Sequence, residues 1–301
     1  MLFMQNKKDF RSGYVAVIGE PNVGKSTLIN NYMGCKLSIV THKPQTTRKK
    51  IMGILTKEDY QIIFFDTPGI IEPTYELQKY MVKTAYSVIK EADILLMMVE
   101  PFKQPAKIHR DVVKKLATFN KPILLVINKV DMVEKDKLLP IIASYNTLMK
   151  FSEIIPISAK EGTNLERLLS LIVQYLPEGE PLYPEDSITD YNERFLAAEI
   201  IREKVFEFYG EEIPYSSTVE IEEFKEREKG RDYIKAIIYV ERKSQKGIII
   251  GEEGKAIKHV GVIARKDIED QLGREVFLEL HVKVMEKWRK DTHKLKRLGY
   301  Q

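Results

Sequence analysis

Four short strings within the first 160 residues carry donor and acceptor types that suit a nucleotide and a divalent cation. The first runs Gly19, Glu20, Pro21, Asn22, Val23, Gly24, Lys25, Ser26, Thr27. Glycines in such a loop let backbone N–H groups converge on a β-phosphate, Lys25 reaches the β and γ oxygens, and the Ser26 hydroxyl ligates Mg²⁺. The second is Asp66, Thr67, Pro68, Gly69, with Ile70 next. It ends an apolar run, so Asp66 stands at a strand terminus, where it holds Mg²⁺ through water, and the Gly69 N–H is free for the γ-phosphate. The third, Asn128, Lys129, Val130, Asp131, names the base. The Asp131 carboxylate accepts from guanine N1–H and the 2-amino group, a pairing adenine cannot supply, while the Lys129 stem lies along the ring. In the fourth, Ser158, Ala159, Lys160, the Ala159 N–H donates to guanine O6. Together the strings specify GTP or GDP with Mg²⁺.

These residues need a scaffold that brings four loops to one edge. Apolar runs at 14–18, 49–56, 60–65, 93–99, 122–127 and 153–157 are separated by amphipathic stretches, which predicts an α/β domain with a mostly parallel sheet and covering helices. The phosphate loop lies between the first run and a helical stretch at 26–32, the context that its chemistry requires. Three prolines within 176–186 stop both helix and inner strand. The reading is a P-loop GTPase domain over 1–176, a linker over 177–189 and a smaller α+β domain over 190–301. The second domain reads as helix (194–206), strand (217–226), strand (233–241), helix (245–250), helix (255–272) and strand (276–284).

A second chemistry sits between its last two helices. Gly251, Glu252, Glu253, Gly254 form a Gly-x-x-Gly loop, the means by which a KH domain (type II in this element order) brings backbone close to the phosphates of single-stranded RNA. Lys243, Lys246, Gly247, Ile250, Lys255 and Lys258 flank the loop, and the run 248–250 is expected to pack the first helix. Glu252 and Glu253 weaken nonspecific attraction to phosphate. Trp288, beside Arg289 and Lys290, is a candidate to stack on a base.

The 301 residues favour two domains, and the longest apolar stretch, 94–99, is far too short to cross a bilayer. Residues 1–12 carry Lys7, Lys8 and Arg11 with no apolar segment after them, so they do not read as a secretory signal, and a cytoplasmic location follows. The single cysteine, Cys35, cannot form an internal disulfide and reads as a small buried residue. Of the net charge of +4, the stretch 283–301 alone carries seven Lys or Arg against two acidic residues, an asymmetry that suits an RNA contact.

The chain resembles the bacterial Era GTPases along nearly its whole length. The resemblance rests on Gly19 to Thr27, on Gln45, Thr46, Thr47, Arg48, on Asp66 to Gly69, and on the stretches 194–203 and 244–251. It implies a ribosome-assembly factor, most simply a monomer. Such a factor binds single-stranded RNA near the 3′ end of small-subunit (16S) ribosomal RNA, promotes 30S subunit maturation from its precursor and associates peripherally with the inner membrane. By similarity Thr47, rather than Thr46, is the switch threonine on Mg²⁺, and Asn22 is a potassium ligand near the α and γ phosphates. Where many small GTPases carry a water-orienting glutamine this chain has Ile70, so hydrolysis rests on Mg²⁺, Lys25, Thr47, Gly69 and Asn22, and the intrinsic rate is slow. Residues 38–49 and 67–75 are expected to order on the γ-phosphate and to release on hydrolysis. The same features admit an alternative, an RNA-binding chaperone in which GTP is a structural ligand.

Overall fold

The computed structural model describes residues 10–102 and 104–300, so Lys7 and Lys8 lie outside the described residues. The chain divides into two compact units: Met1–Ser38, Thr47–Pro73 and Met81–Asp190 form the first, and Ile39–Thr46, Thr74–Tyr80 and Tyr191–Gln301 the second.

The first unit is built on a six-stranded sheet of β1 (Arg11–Gly19), β2 (Ile51–Thr56), β3 (Tyr60–Asp66), β4 (Ile94–Val99), β5 (Ile123–Ile127) and β6 (Glu153–Pro156), in the order β2-β3-β1-β4-β5-β6. Only the β2/β3 pair is antiparallel. The helices are α1 (Lys25–Met33), α2 (Glu76–Glu91, whose residues from Met81 on belong to this unit), α3 (Lys107–Leu116), α4 (Leu138–Asn146) and α5 (Leu165–Tyr175). Every residue of β4 and β5 is buried, as a parallel strand covered on both faces requires, which is why their sequences run apolar without alternation. β1 starts at Arg11, ahead of its apolar run, because its first residues pair with Tyr60 and Gln61 on β3. The chain winds outward from β1 in both directions, so β1 marks the switch point of the sheet. The loop at its carboxyl end is where an open α/β sheet takes a ligand.

The proline-rich stretch after α5 is laid along this unit. Arg11 donates to the carbonyl of Leu176 at 2.7 Å, and the buried Gln61 side chain exchanges hydrogen bonds with Leu182 N–H, Tyr183 N–H and the Tyr183 carbonyl. Ile54 N–H donates to the Ile188 carbonyl at 2.8 Å, which gives the edge strand β2 a partner it otherwise lacks.

The second unit contains α6 (Glu193–Phe208), α7 (Ile213–Ser216), β7 (Thr218–Lys225), β8 (Asp232–Val240), α8 (Lys243–Ile250), α9 (Lys255–Leu272), β9 (Val276–Val284) and α10 (Thr292–Arg297). Its sheet runs β7-β8-β9, with β8 and β9 parallel and joined by the α8–α9 crossover. Alternate β8 residues Ile234, Ala236, Ile238 and Val240 meet Val260, Ala264 and Ile268, spaced four apart on one face of α9, and Ala197, Ile201 and Val205 of α6. Two periods, 2 and 3.6, thus converge on one core. Of the run 248–250 only Ile249 is fully buried, while Ile248 is about half exposed because it faces away from that core. Cys35, in the first unit, is half-buried rather than buried.

A charged network closes the second unit. Arg274 pairs in bidentate fashion with Glu193 at the start of α6 and also with Asp232, whose side chain is 2% exposed. Burial disfavours the Asp232 anion, yet hydrogen bonds from Arg274 and the Arg227 N–H hold its carboxyl below the usual range. Arg274→Ala strands this carboxylate and is expected to destabilise the unit by about 3 kcal/mol, read by urea unfolding with Trp288 as the single indole probe. Since the folded value lies below the unfolded one, the contribution is complete above about pH 4 and is lost as pH falls through the folded value. The difference between parent and variant should therefore shrink in acid.

Candidate nucleotide site and RNA interface

The phosphate loop, Gly19 to Ser26, leaves the end of β1 and enters α1 through Gly24, whose φ of 101° is left-handed; a Cβ there would stand 2.1 Å from Asn128 Nδ2. No side chain caps α1, so the N–H groups of its first turn remain for an anion. Asn22 also takes a left-handed backbone, φ 64°. Lys25 is buried, with Nζ donating to the carbonyls of Glu20 at 2.8 Å and Gly19 at 3.3 Å. Burial pushes its ammonium down to about 8, with Asp66 and Glu20 acting in the other direction.

The three residues expected to hold the metal come together. Ser26 Oγ donates to Asp66 Oδ2 at 2.6 Å, lies 3.1 Å from Thr47 Oγ1, and Thr47 Oγ1 is 3.3 Å from the same carboxylate oxygen. Thr47, not Thr46, thus joins the cluster. Asp66 is fully buried, its Oδ1 has no hydrogen-bond partner, and burial raises its carboxyl pKa against the hydrogen bond from Ser26 and the charge of Lys25. An unpartnered carboxylate oxygen beside two hydroxyls is a hard oxygen donor set that fits Mg²⁺. Thr67 Oγ1 donates to the Val17 carbonyl at 2.7 Å, which fixes the turn from Asp66 through Pro68 to Gly69. At Gly69 a Cβ would stand 2.5 Å from the Pro21 nitrogen, so only glycine lets this turn lie on the phosphate loop. Ile70 donates its N–H to the Gly19 carbonyl at 3.0 Å, and its side chain is buried.

On the base side, Asp131 is exposed and accepts from Ser158 Oγ at 2.6 Å, which orients its carboxylate. Lys129, with φ 63°, pairs with Glu100, and Lys160 pairs with Glu161 at 3.1 Å. The Ala159 N–H donates to Asn128 Oδ1 at 2.8 Å. The other end of that side chain donates to the Val23 carbonyl at 2.7 Å, so Asn128 ties the base loops to the phosphate loop. Two asparagines that the motif reading passed over add to this frame. Asn31 donates to the Ala159 carbonyl at 2.6 Å, and Asn30 holds Leu37 and Ser38 through three backbone hydrogen bonds. Their signal in the sequence is two poor helix formers side by side inside α1.

In the second unit, Gly251 (φ 71°) and Gly254 (φ 77°) bracket Glu252 and Glu253, and Glu253 itself is left-handed at φ 50°. A Cβ on Gly251 would stand 2.5 Å from that of Ala256. Like α1, α9 starts at a left-handed glycine and has no side-chain cap. Lys255 pairs with Glu253 at 2.9 Å, and Lys243, Gly247 and Lys258 are exposed around the loop, with Lys246 and Ile250 partly so. Beside the loop α9 and β9 line an open groove of about 250 Å³, formed by Ile257, Lys258, Gly261, Val262, Arg265, Phe277, Leu278 and Leu280. Val262 and Phe277 are each 53% exposed there, an apolar floor with a basic rim. Nothing in the sequence marked this groove, because it exists only once β9 lies beside α9.

Trp288 corrects an expectation. It is fully buried, its indole N–H donates to the Ser216 carbonyl at 2.9 Å, and no base can stack on it. Arg289 pairs with Glu241, and its guanidinium lies 5.2 Å from the Tyr75 ring centre; Lys290 is exposed.

Two family models match the chain, one described as 50S ribosome-binding GTPase over residues 14–129 and one as KH domain over 212–289. The GTPase Era of Geotalea uraniireducens is 48% identical over 295 residues, covering 98% of this chain and 99% of that protein, and the GTPase Era of Geotalea daltonii matches to the same extent. The chain belongs to the Era GTPase family. Two Era crystal structures, an Aquifex aeolicus variant bound to GDP·AlF₄⁻ and Era in complex with MgGDPNP and nucleotides 1506–1542 of 16S ribosomal RNA, each superpose with a TM-score of 0.93 at 42% identity over 97% of this chain and 99% of theirs. As an Era GTPase the protein hydrolyses GTP to GDP and phosphate, with Mg²⁺. Among the described residues no helix is long and apolar enough to cross a membrane.

Asn128→Ala is expected to weaken guanine nucleotide binding at least tenfold, about 1.4 kcal/mol, because three loops lose their common tie; a fluorescent GDP titration reads it. Val262→Glu, on an exposed groove residue, should leave the melting temperature within a few degrees of the parent and cut single-stranded RNA binding about tenfold, measured by anisotropy.

Proposed function

We propose that this chain is a GTP-hydrolysing ribosome-assembly factor that binds the single-stranded 3′-end region of 16S ribosomal RNA and promotes 30S maturation according to its nucleotide state. The observation that carries this reading is the end-to-end match to an Era structure holding both MgGDPNP and 16S ribosomal RNA. The groove beside the Gly-x-x-Gly loop supports it, since an apolar floor under Lys258 and Arg265 suits unstacked bases with their phosphates at the rim.

Within the nucleotide site Lys25 and the α1 N-terminus take the phosphates, Ser26, Thr47 and, through water, Asp66 take Mg²⁺, and Asp131 reads guanine. Gly69 offers its N–H to the γ-phosphate, and Asn22 serves a potassium ion near the phosphates. Ile70 supplies no polar side-chain group to orient water, so intrinsic hydrolysis is slow and rests on electrostatic stabilisation of the phosphoryl group. Nucleotide dependence has a route along the backbone. In the second unit Lys43 caps α6 through the carbonyls of Phe206 and Tyr209, the latter at 2.5 Å, and Val40 N–H donates to Glu203. Four residues beyond Lys43 the chain reaches Thr47 in the metal cluster, so ordering Thr47 on Mg²⁺ pulls on a segment that belongs to the second unit. The site of action is the cytoplasm, with peripheral contact at the inner membrane, and the working form is a monomer.

A labelled RNA carrying the 16S 3′ tail, titrated in potassium buffer with a nonhydrolysable GTP analogue and then with GDP, tests the reading. At least fivefold tighter binding with the analogue, about 1 kcal/mol of coupling, is expected. Equal affinity in both states favours the chaperone in which GTP is structural, and no binding removes the RNA target.

A further inference from the structure

A carboxylate is a poor neighbour for a triphosphate, yet Glu20 stands within the loop that surrounds it, directly after Gly19. Lys25, the cation of that loop, hydrogen-bonds the Glu20 carbonyl at 2.8 Å. The Glu20 side chain is directed to α3, where Oε2 lies 3.0 Å from Nε2 of His109. His109 is nearly buried, and its Nδ1 accepts the Ala106 N–H at 3.0 Å, so the neutral ring carries its proton on Nε2, toward Glu20. The Tyr145 ring packs edge-on against the imidazole at 5.8 Å between centres.

We propose that His109 is a positioning residue of the nucleotide site: by holding the Glu20 carboxylate against α3 it keeps a negative charge off the β and γ phosphates and leaves Lys25 free for them. Phosphate-loop chemistry alone does not call for a histidine on the third helix after the loop. Glu20 creates the need, and Ala106, His109 and Tyr145 together meet it. The inference concerns the nucleotide site alone, so it stands whether or not the RNA reading does.

The test is a double-mutant cycle on the full chain, read as affinity for a nonhydrolysable GTP analogue, GDP and guanosine. His109→Ala should weaken the GTP analogue about tenfold, GDP less and guanosine hardly at all, because a freed carboxylate repels in proportion to phosphate charge. Adding Glu20→Gln to that variant should restore most of the loss, and His109→Gln, whose amide can still donate to Glu20, should retain most of the affinity. Equal losses for all three ligands, or no rescue by Glu20→Gln, would overturn the proposal and leave His109 as a cap of α3. If His109→Ala does not fold, His109→Leu, which fills the site but cannot donate to Glu20, takes its place in the cycle, and a coupling of zero between it and Glu20→Gln overturns the proposal.

Discussion

The first turn of a helix presents backbone N–H groups that the helix itself cannot satisfy, and both ends of this chain's chemistry depend on leaving them open. Gly24 before α1 and Gly254 before α9 are both left-handed, and neither helix has a side-chain cap. A Ser or Asp at either position would be strained at that left-handed φ, and at Gly24 its Cβ would meet the Asn128 side chain, so glycine both makes each turn and leaves the N–H groups uncapped. Each unit thus offers an open helix N-terminus that suits an anion. What distinguishes them is the surroundings: a buried lysine, two hydroxyls and a buried carboxylate in the first, an apolar groove with a basic rim in the second.

The nucleotide site is held by hydrogen bonds between loops more than by any one element. Asn128 joins the phosphate loop to the base loops, Asn31 reaches the same base loop from α1, and Ile70 returns to Gly19 from the end of β3. The Asn128 tethers are buried, so each of their polar groups would cost about 1–3 kcal/mol if left unpaired, and the loops are stiff without needing long elements of their own. Stiffness at the phosphates contrasts with residues Ile39–Thr46, which belong with the second unit and lead straight into the metal cluster. A site that must respond to one phosphate needs both properties, a fixed cradle and one strand of chain able to transmit the change.

Sequence and structure part company where side-chain direction decides. Trp288 beside Arg289 and Lys290 reads as a stacking platform, but the indole fills the core against Tyr300 and its N–H meets Ser216, whose carbonyl lies 72 residues upstream. Ile248 reads as packing and is instead exposed, since a short helix has room to bury only one face. In each case the residue type was informative and its partner was not, because the partner comes from a distant segment.

The order and nature of the elements, the four nucleotide strings and the Gly-x-x-Gly loop were legible from sequence because each is local. Apolar runs report their own burial, and a loop that must admit backbone to phosphate has to spend glycines at set spacings. The tertiary structure brought Thr47 to Ser26 and Asp66, and it alone decided that β9 beside α9 opens a groove, that the proline-rich stretch lies along the first unit, and that Glu20 has His109 for a partner. Those facts are distances between residues far apart in the chain, and a distance is set by the packing of the sheet and helices between them rather than by the residues themselves.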